Sequence, residues 1–71
     1  MFRFEFYRTK ADFERGVFDN TFNWAGDSPL DYLAMFQRTS KICVAYGDNG
    51  LVQIFEQKRG RWNPARFGRP R

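Results

Sequence analysis

Seventy-one residues make one domain and leave no room for two. There is a single cysteine, Cys43, and no histidine, which excludes an internal disulfide and a histidine–cysteine metal cage and removes the commonest general base. The net charge of +4 is unevenly spread, because from Lys58 onward there are six basic residues and no acid, whereas residues 1–57 hold six basic against eight acidic side chains.

A chain this short buries only about 60% of the surface its unfolded form exposes. What is left to hold it together is aromatic mass: nine Phe, three Tyr and two Trp, 20% of the residues. Each large ring brings ~150–250 Å² of buriable surface. Composition therefore predicts a compact, aromatic-packed domain over 1–57 and a basic, flexible tail over 58–71.

Residues 2–8 alternate, with Phe2, Phe4 and Phe6 on one face and Arg3, Glu5, Tyr7 and Arg8 breaking the run. Period-two alternation predicts a strand with one buried face. Thr9 stands three residues before Asp12, a loose capping box, and opens a short helix across 10–18 with Phe13 and Val17 on its inner side. Gly16 weakens that helix and is expected to end it early.

Asp19 to Asp27 is rich in turn formers, and its Trp24 is expected to pin a loop to the core. The second helix has the clearest start: Ser28 as N-cap, Pro29 at the first helical position and Asp31 in the first turn. It is expected to reach about Arg38 and is apolar nearly all round, so two sides must be covered.

Ile42–Tyr46 and Leu51–Gln57 flank Gly47-Asp48-Asn49-Gly50, a hairpin signal. With either Asp48-Asn49 or Asn49-Gly50 as the central pair, Cys43, Ala45, Val52 and Ile54 share one face. Ile42, Val44, Tyr46, Leu51 and Phe55 share the other. The predicted fold is α+β: a three-stranded antiparallel sheet in β-α-α-β-β order, two helices on one face, and a basic C-terminal tail. The second, apolar face then needs a partner, most simply a second copy of the chain, and Trp24 is a further candidate for that contact.

No constellation supports catalysis. Cys43 lies mid-strand, where a buried and inert thiol is expected. Ser28, Ser40 and the threonines have no histidine to activate them. The carboxylates are scattered, Gly47–Gly50 supplies too few ligands for calcium, and no glycine-rich phosphate loop is present. No metal or cofactor is expected. Charged Arg3 and Glu5 interrupt any signal-peptide core, and the longest apolar runs fall far short of the ~20 residues of a membrane span. With one cysteine, the cytoplasm is the expected location, and no membrane partner is expected.

The tail carries the one chemical signal. Lys58, Arg59, Arg61, Arg66, Arg69 and Arg71 are interleaved with Trp62 and Phe67, and guanidinium on phosphate with an aromatic on a base face is the chemistry of nucleic-acid contact. Gly68-Arg69-Pro70 resembles part of the AT-hook, a minor-groove motif built on Arg-Gly-Arg-Pro, but Phe67 stands where the first arginine belongs. Arg59-Gly60-Arg61 has that first half and is followed by Trp62. The expected function is a small non-enzymatic accessory protein whose tail engages nucleic acid or a nucleoprotein complex. The competing expectation is a small inhibitor or adaptor, of the kind phages and mobile elements encode, that blocks a host protein through its aromatic and apolar surface. A ribonuclease toxin using arginines on phosphate is a third, resting on the order of elements alone.

Overall fold

The computed structural model describes residues 1–35 and 39–65. The chain runs β1 (Phe2–Tyr7), α1 (Lys10–Arg15), β2 (Asn20–Trp24), α2 (Pro29–Met35), β3 (Ile42–Gly47), β4 (Val52–Lys58) and β5 (Arg61–Pro64). All five strands join one antiparallel sheet in the order β2-β1-β3-β4-β5. The expected three-stranded β-α-α-β-β fold is therefore corrected to a five-stranded sheet, with a strand between the helices and another inside the supposed tail.

Both extra strands lie at sheet edges, where their sequence signals are weak. β2 occupies the stretch read as a loop, with Phe22 and Trp24 two residues apart and registered opposite Phe4 and Phe2. Its asparagines and Thr21 face solvent. β5 contains Pro64, which an edge strand tolerates because no further strand needs the missing N–H. Gly60 does not break the strand but turns the chain into it. Arg59 and Gly60 both have positive φ, 53° and 78°, as a two-residue type I′ hairpin requires, and Lys58 pairs with Arg61.

The two helices lie on opposite faces, not on one. The α2 face holds Phe4, Phe6, Cys43, Ala45 and Phe55 against Tyr32 and Leu33, with Phe2, Trp24 and Trp62 packed around them. Gly26 lies so close under Trp24 that a Cβ there would come within 2.2 Å of the indole. The α1 face holds Tyr7, Ile42 and Val44 against Phe13, flanked by Tyr46 and Ile54. β3 is thus buried on both sides from Ile42 to Ala45.

Hairpin parity explains why the face assignment differs from expectation. Tyr46 pairs with Val52, the Gly47 amide donates to the Leu51 carbonyl at 2.7 Å, and the Gly50 amide donates to the Gly47 carbonyl at 3.2 Å. That is a three-residue loop, Asp48-Asn49-Gly50, closed by Gly50 at φ 82°. A two-residue loop at either position would have set Phe55 beside Val44. One more residue turns β4 over, so Phe55 joins Cys43 and Ala45 while Val52 and Ile54 join Val44 and Tyr46.

α1 starts as expected, with the Thr9 hydroxyl accepting from the Asp12 amide at 3.1 Å. It stops at Gly16, whose φ of 74° permits a Schellman closure: the Gly16 amide donates to the Phe13 carbonyl and the Val17 amide to the Asp12 carbonyl. Val17 is therefore outside the helix and exposed rather than beside Phe13. α2 begins at Pro29 as read, and the expectation for its last turn, residues 36–38, lies outside the described residues.

Two consequences are measurable. Because β5 and Trp62 complete the sheet, a chain ending at Gln57 is expected to lose its cooperative thermal transition in circular dichroism, whereas one ending at Ala65 keeps it. Arg59 holds a left-handed conformation that costs a non-glycine residue on the order of 1 kcal/mol, so Arg59→Asn is expected to raise Tm by a few degrees.

Candidate nucleic-acid interface

The antiparallel register decides which charges meet. β1 ends at Tyr7 and is followed by Arg8, while Lys41 directly precedes β3 and donates its amide to the Tyr7 carbonyl at 3.0 Å. The Gln57 amide donates to the Lys41 carbonyl at 2.8 Å, which sets the end of β4, Lys58, next in line. Lys58 faces Arg61 across the turn that carries Arg59. Arg8, Lys41, Lys58, Arg59 and Arg61 thus follow one another across a single end of the sheet, on strands spaced about 4.8 Å apart. All are exposed.

Two of these cations are paired with acids. Asp19 lies 3.7 Å from the Arg8 guanidinium, and Glu56 lies 3.8 Å from Lys58 Nζ. Among the described residues the side chains of Lys41, Arg59 and Arg61 form no ion pair. The end therefore keeps an excess of positive charge against solvent. At the other end of the sheet the loops carry Asp27 and Asp48. Among the described residues Asp48 at that end is paired with the Met1 amine at 2.9 Å, so the positive excess at the Arg8–Arg61 end has no paired counterpart there.

The structure divides the residues that the sequence grouped together. Lys58, Arg59 and Arg61 stay together. Trp62 turns inward, with its ring 6.3 Å from Phe6 in an edge-to-face contact. Arg66, Phe67, Arg69 and Arg71 lie outside the described residues. Ala65 donates its amide to the Ile54 carbonyl, so the described chain ends at the opposite end of β5 from Arg61. Arg8 and Lys41 were missed. Each is a lone basic residue at a strand boundary, a signal that acquires meaning only once the order of the strands is known.

The residues grouped as a partner interface are likewise parted. Ile42 and Val44 are enclosed beneath Phe13. Phe55 is 2% exposed on the other face, Leu51 is exposed beside the hairpin turn, and Trp24 stacks on Phe4 and lies tilted against Tyr32. Tyr46 belongs to a polar group on the α1 face: its hydroxyl and that of Tyr7 both donate to Glu5 Oε1, at 3.0 and 2.9 Å. Arg3 lies 3.7 Å from Glu5 Oε2 and 4.7 Å from the centre of the Tyr46 ring. Every member of that group is satisfied by another, which suits it to fixing the sheet face rather than to reacting.

Cys43 is fully buried, and among the described residues no three cysteine or carboxylate side chains come together as a metal site. No helix there is long and apolar enough to cross a membrane. Comparison with protein-family models, curated proteins and solved structures finds no match for this chain.

Burial of Phe55 in the α2 face gives a direct check. Phe55→Glu places an unpaired carboxylate in the core, and the expected outcome is loss of the folded state, seen as collapse of amide dispersion in a proton–nitrogen NMR spectrum.

Proposed function

We propose that this is a small, non-enzymatic binding protein of the cytoplasm that engages the phosphate backbone of a nucleic acid through the cationic end of its sheet. The observation that carries this reading is the convergence of Arg8, Lys41, Lys58, Arg59 and Arg61 from separate strand ends onto one rim. Clustered like charges give nothing to folding and cost repulsion, so their placement needs another reason. Arg59 adds weight, since it holds a strained backbone position where asparagine or glycine would be more stable. Arg66, Arg69 and Arg71 would add to the same electrostatic attraction.

The mechanism is neutralisation of phosphates with release of their counterions. It brings steep salt dependence and little sequence preference. The competing reading, an inhibitor or adaptor that docks on a protein, has its support in the exposed apolar side chains Phe22, Leu30 and Met35 around β2 and α2.

Fluorescence anisotropy of a labelled duplex at about 50 and about 200 mM salt separates the two. The expected log–log slope is about −0.9 per phosphate neutralised, reaching about −4.5 when all five rim cations engage. Replacing Lys41 and Lys58 together with alanine is expected to make that slope shallower by about 2 for every sequence tested. A protein that binds neither duplex nor single strand at micromolar concentration and low salt belongs to the inhibitor reading instead.

A further inference from the structure

Resting on that reading, we infer that the preferred nucleic acid is single-stranded and that Phe18 is its stacking platform. Trp62 does not fill this role, since its ring packs against the core beside Phe6. Phe18 is the most exposed aromatic side chain among the described residues, with 48% of its surface open. It lies at the cationic end: Asp19, the next residue, donates its amide to the Phe6 carbonyl at 2.7 Å, and its carboxylate lies 3.7 Å from the Arg8 guanidinium. Arg8 is thereby paired with the residue that follows the ring.

The backbone on either side of Phe18 is fixed. Val17 donates its amide to the Asp12 carbonyl at 2.9 Å, closing α1, and Asp19 is bonded to β1. The ring itself rests perpendicular to Tyr7, at 89° and 6.4 Å between centroids. That contact sets its position and leaves much of its surface uncovered. A half-open ring at the same end of the sheet as Arg8 and Lys41 is what a single strand needs: a base on the ring, and its flanking phosphates on the cations. A duplex keeps its bases stacked on one another and can use only the cations.

The sequence did not bring Phe18 forward, because the first helix was expected to run to it, over 10–18. Only the Schellman closure at Gly16, followed at once by entry into β2, leaves it outside the packed faces.

The test measures anisotropy of a mixed-sequence single strand and of the corresponding duplex at one low salt concentration. The wild-type chain is compared with Phe18→Leu, Phe18→Ala and Phe18→Trp, each checked for an intact thermal transition. Leucine keeps the apolar contact with Tyr7 but has no π face. Phe18→Leu and Phe18→Ala are expected to weaken single-strand binding roughly ten-fold or more, with duplex binding changed less than about two-fold, and Phe18→Trp is expected to restore it. Equal binding of the single strand by wild type and Phe18→Leu overturns the inference, as does equal weakening toward both ligands. In both of those cases the wild-type protein still binds, and the cationic-rim reading stands. Wild-type protein that binds neither ligand overturns that reading together with this one.

Discussion

Large side chains on β1 face small ones on β3. Phe4 is registered opposite Ala45 and Phe6 opposite Cys43, and all four are closed to solvent. Two phenylalanines facing two more large residues across the central pair would fill the space above the sheet and leave no place for a helix. With Ala45 and Cys43 there instead, a trough opens, and Phe55, Tyr32 and Leu33 occupy it. Phe4 then becomes the hub of an aromatic cluster, with Phe6 at 5.8 Å, Tyr32 at 5.1 Å and Trp24 at 6.1 Å. The edge strands are tied to the same trough, β2 through Trp24 and β5 through Trp62 on Phe6. In a chain with neither disulfide nor histidine, this large-against-small fit stands where a covalent or metal staple would otherwise be.

The same register shapes the outside of the molecule. Antiparallel pairing carries the end of β1, the start of β3, the end of β4 and the start of β5 to one side, and basic residues occupy each of these boundaries. Asp19 and Glu56 offset part of that charge, and the remainder faces water. Hydrophobic core and cationic rim are therefore two results of one set of strand pairings. A change that shifted β3 against β4 by one residue would turn Phe55 out of the core and would also break up the rim.

Much of the interior was legible in the sequence. The alternation of Phe2, Phe4 and Phe6 marks β1, Thr9 and Gly16 bracket α1, Pro29 opens α2, and Gly47 to Gly50 announces the β3–β4 hairpin. These signals work because each depends on local chemistry alone: side-chain alternation, a capping hydroxyl, a fixed φ, or a glycine free of steric restriction. The edge strands were less legible. β2 has one apolar side, interrupted by asparagines, and β5 is four residues long with a proline inside it. Such segments become strands through the neighbour that pairs with them, not through their own propensity.

The candidate site divides in the same way. Lys58, Arg59 and Arg61 were visible as a charge cluster because they are close in sequence. Arg8, Lys41 and Phe18 come from elsewhere in the chain, and no local pattern links them. Sequence alone determined that the domain is small and aromatic-packed, which segments form the helices and the central strands, and that its charge is unequally divided. Tertiary structure decided which face each side chain takes, that each helix covers a different face, that Trp62 packs against the core, and which cations meet. The reason is parity. In a sheet, one residue more or less in a turn reverses every side chain that follows, and the turn at Gly47 to Leu51 settles its length only by closing on the strands that flank it.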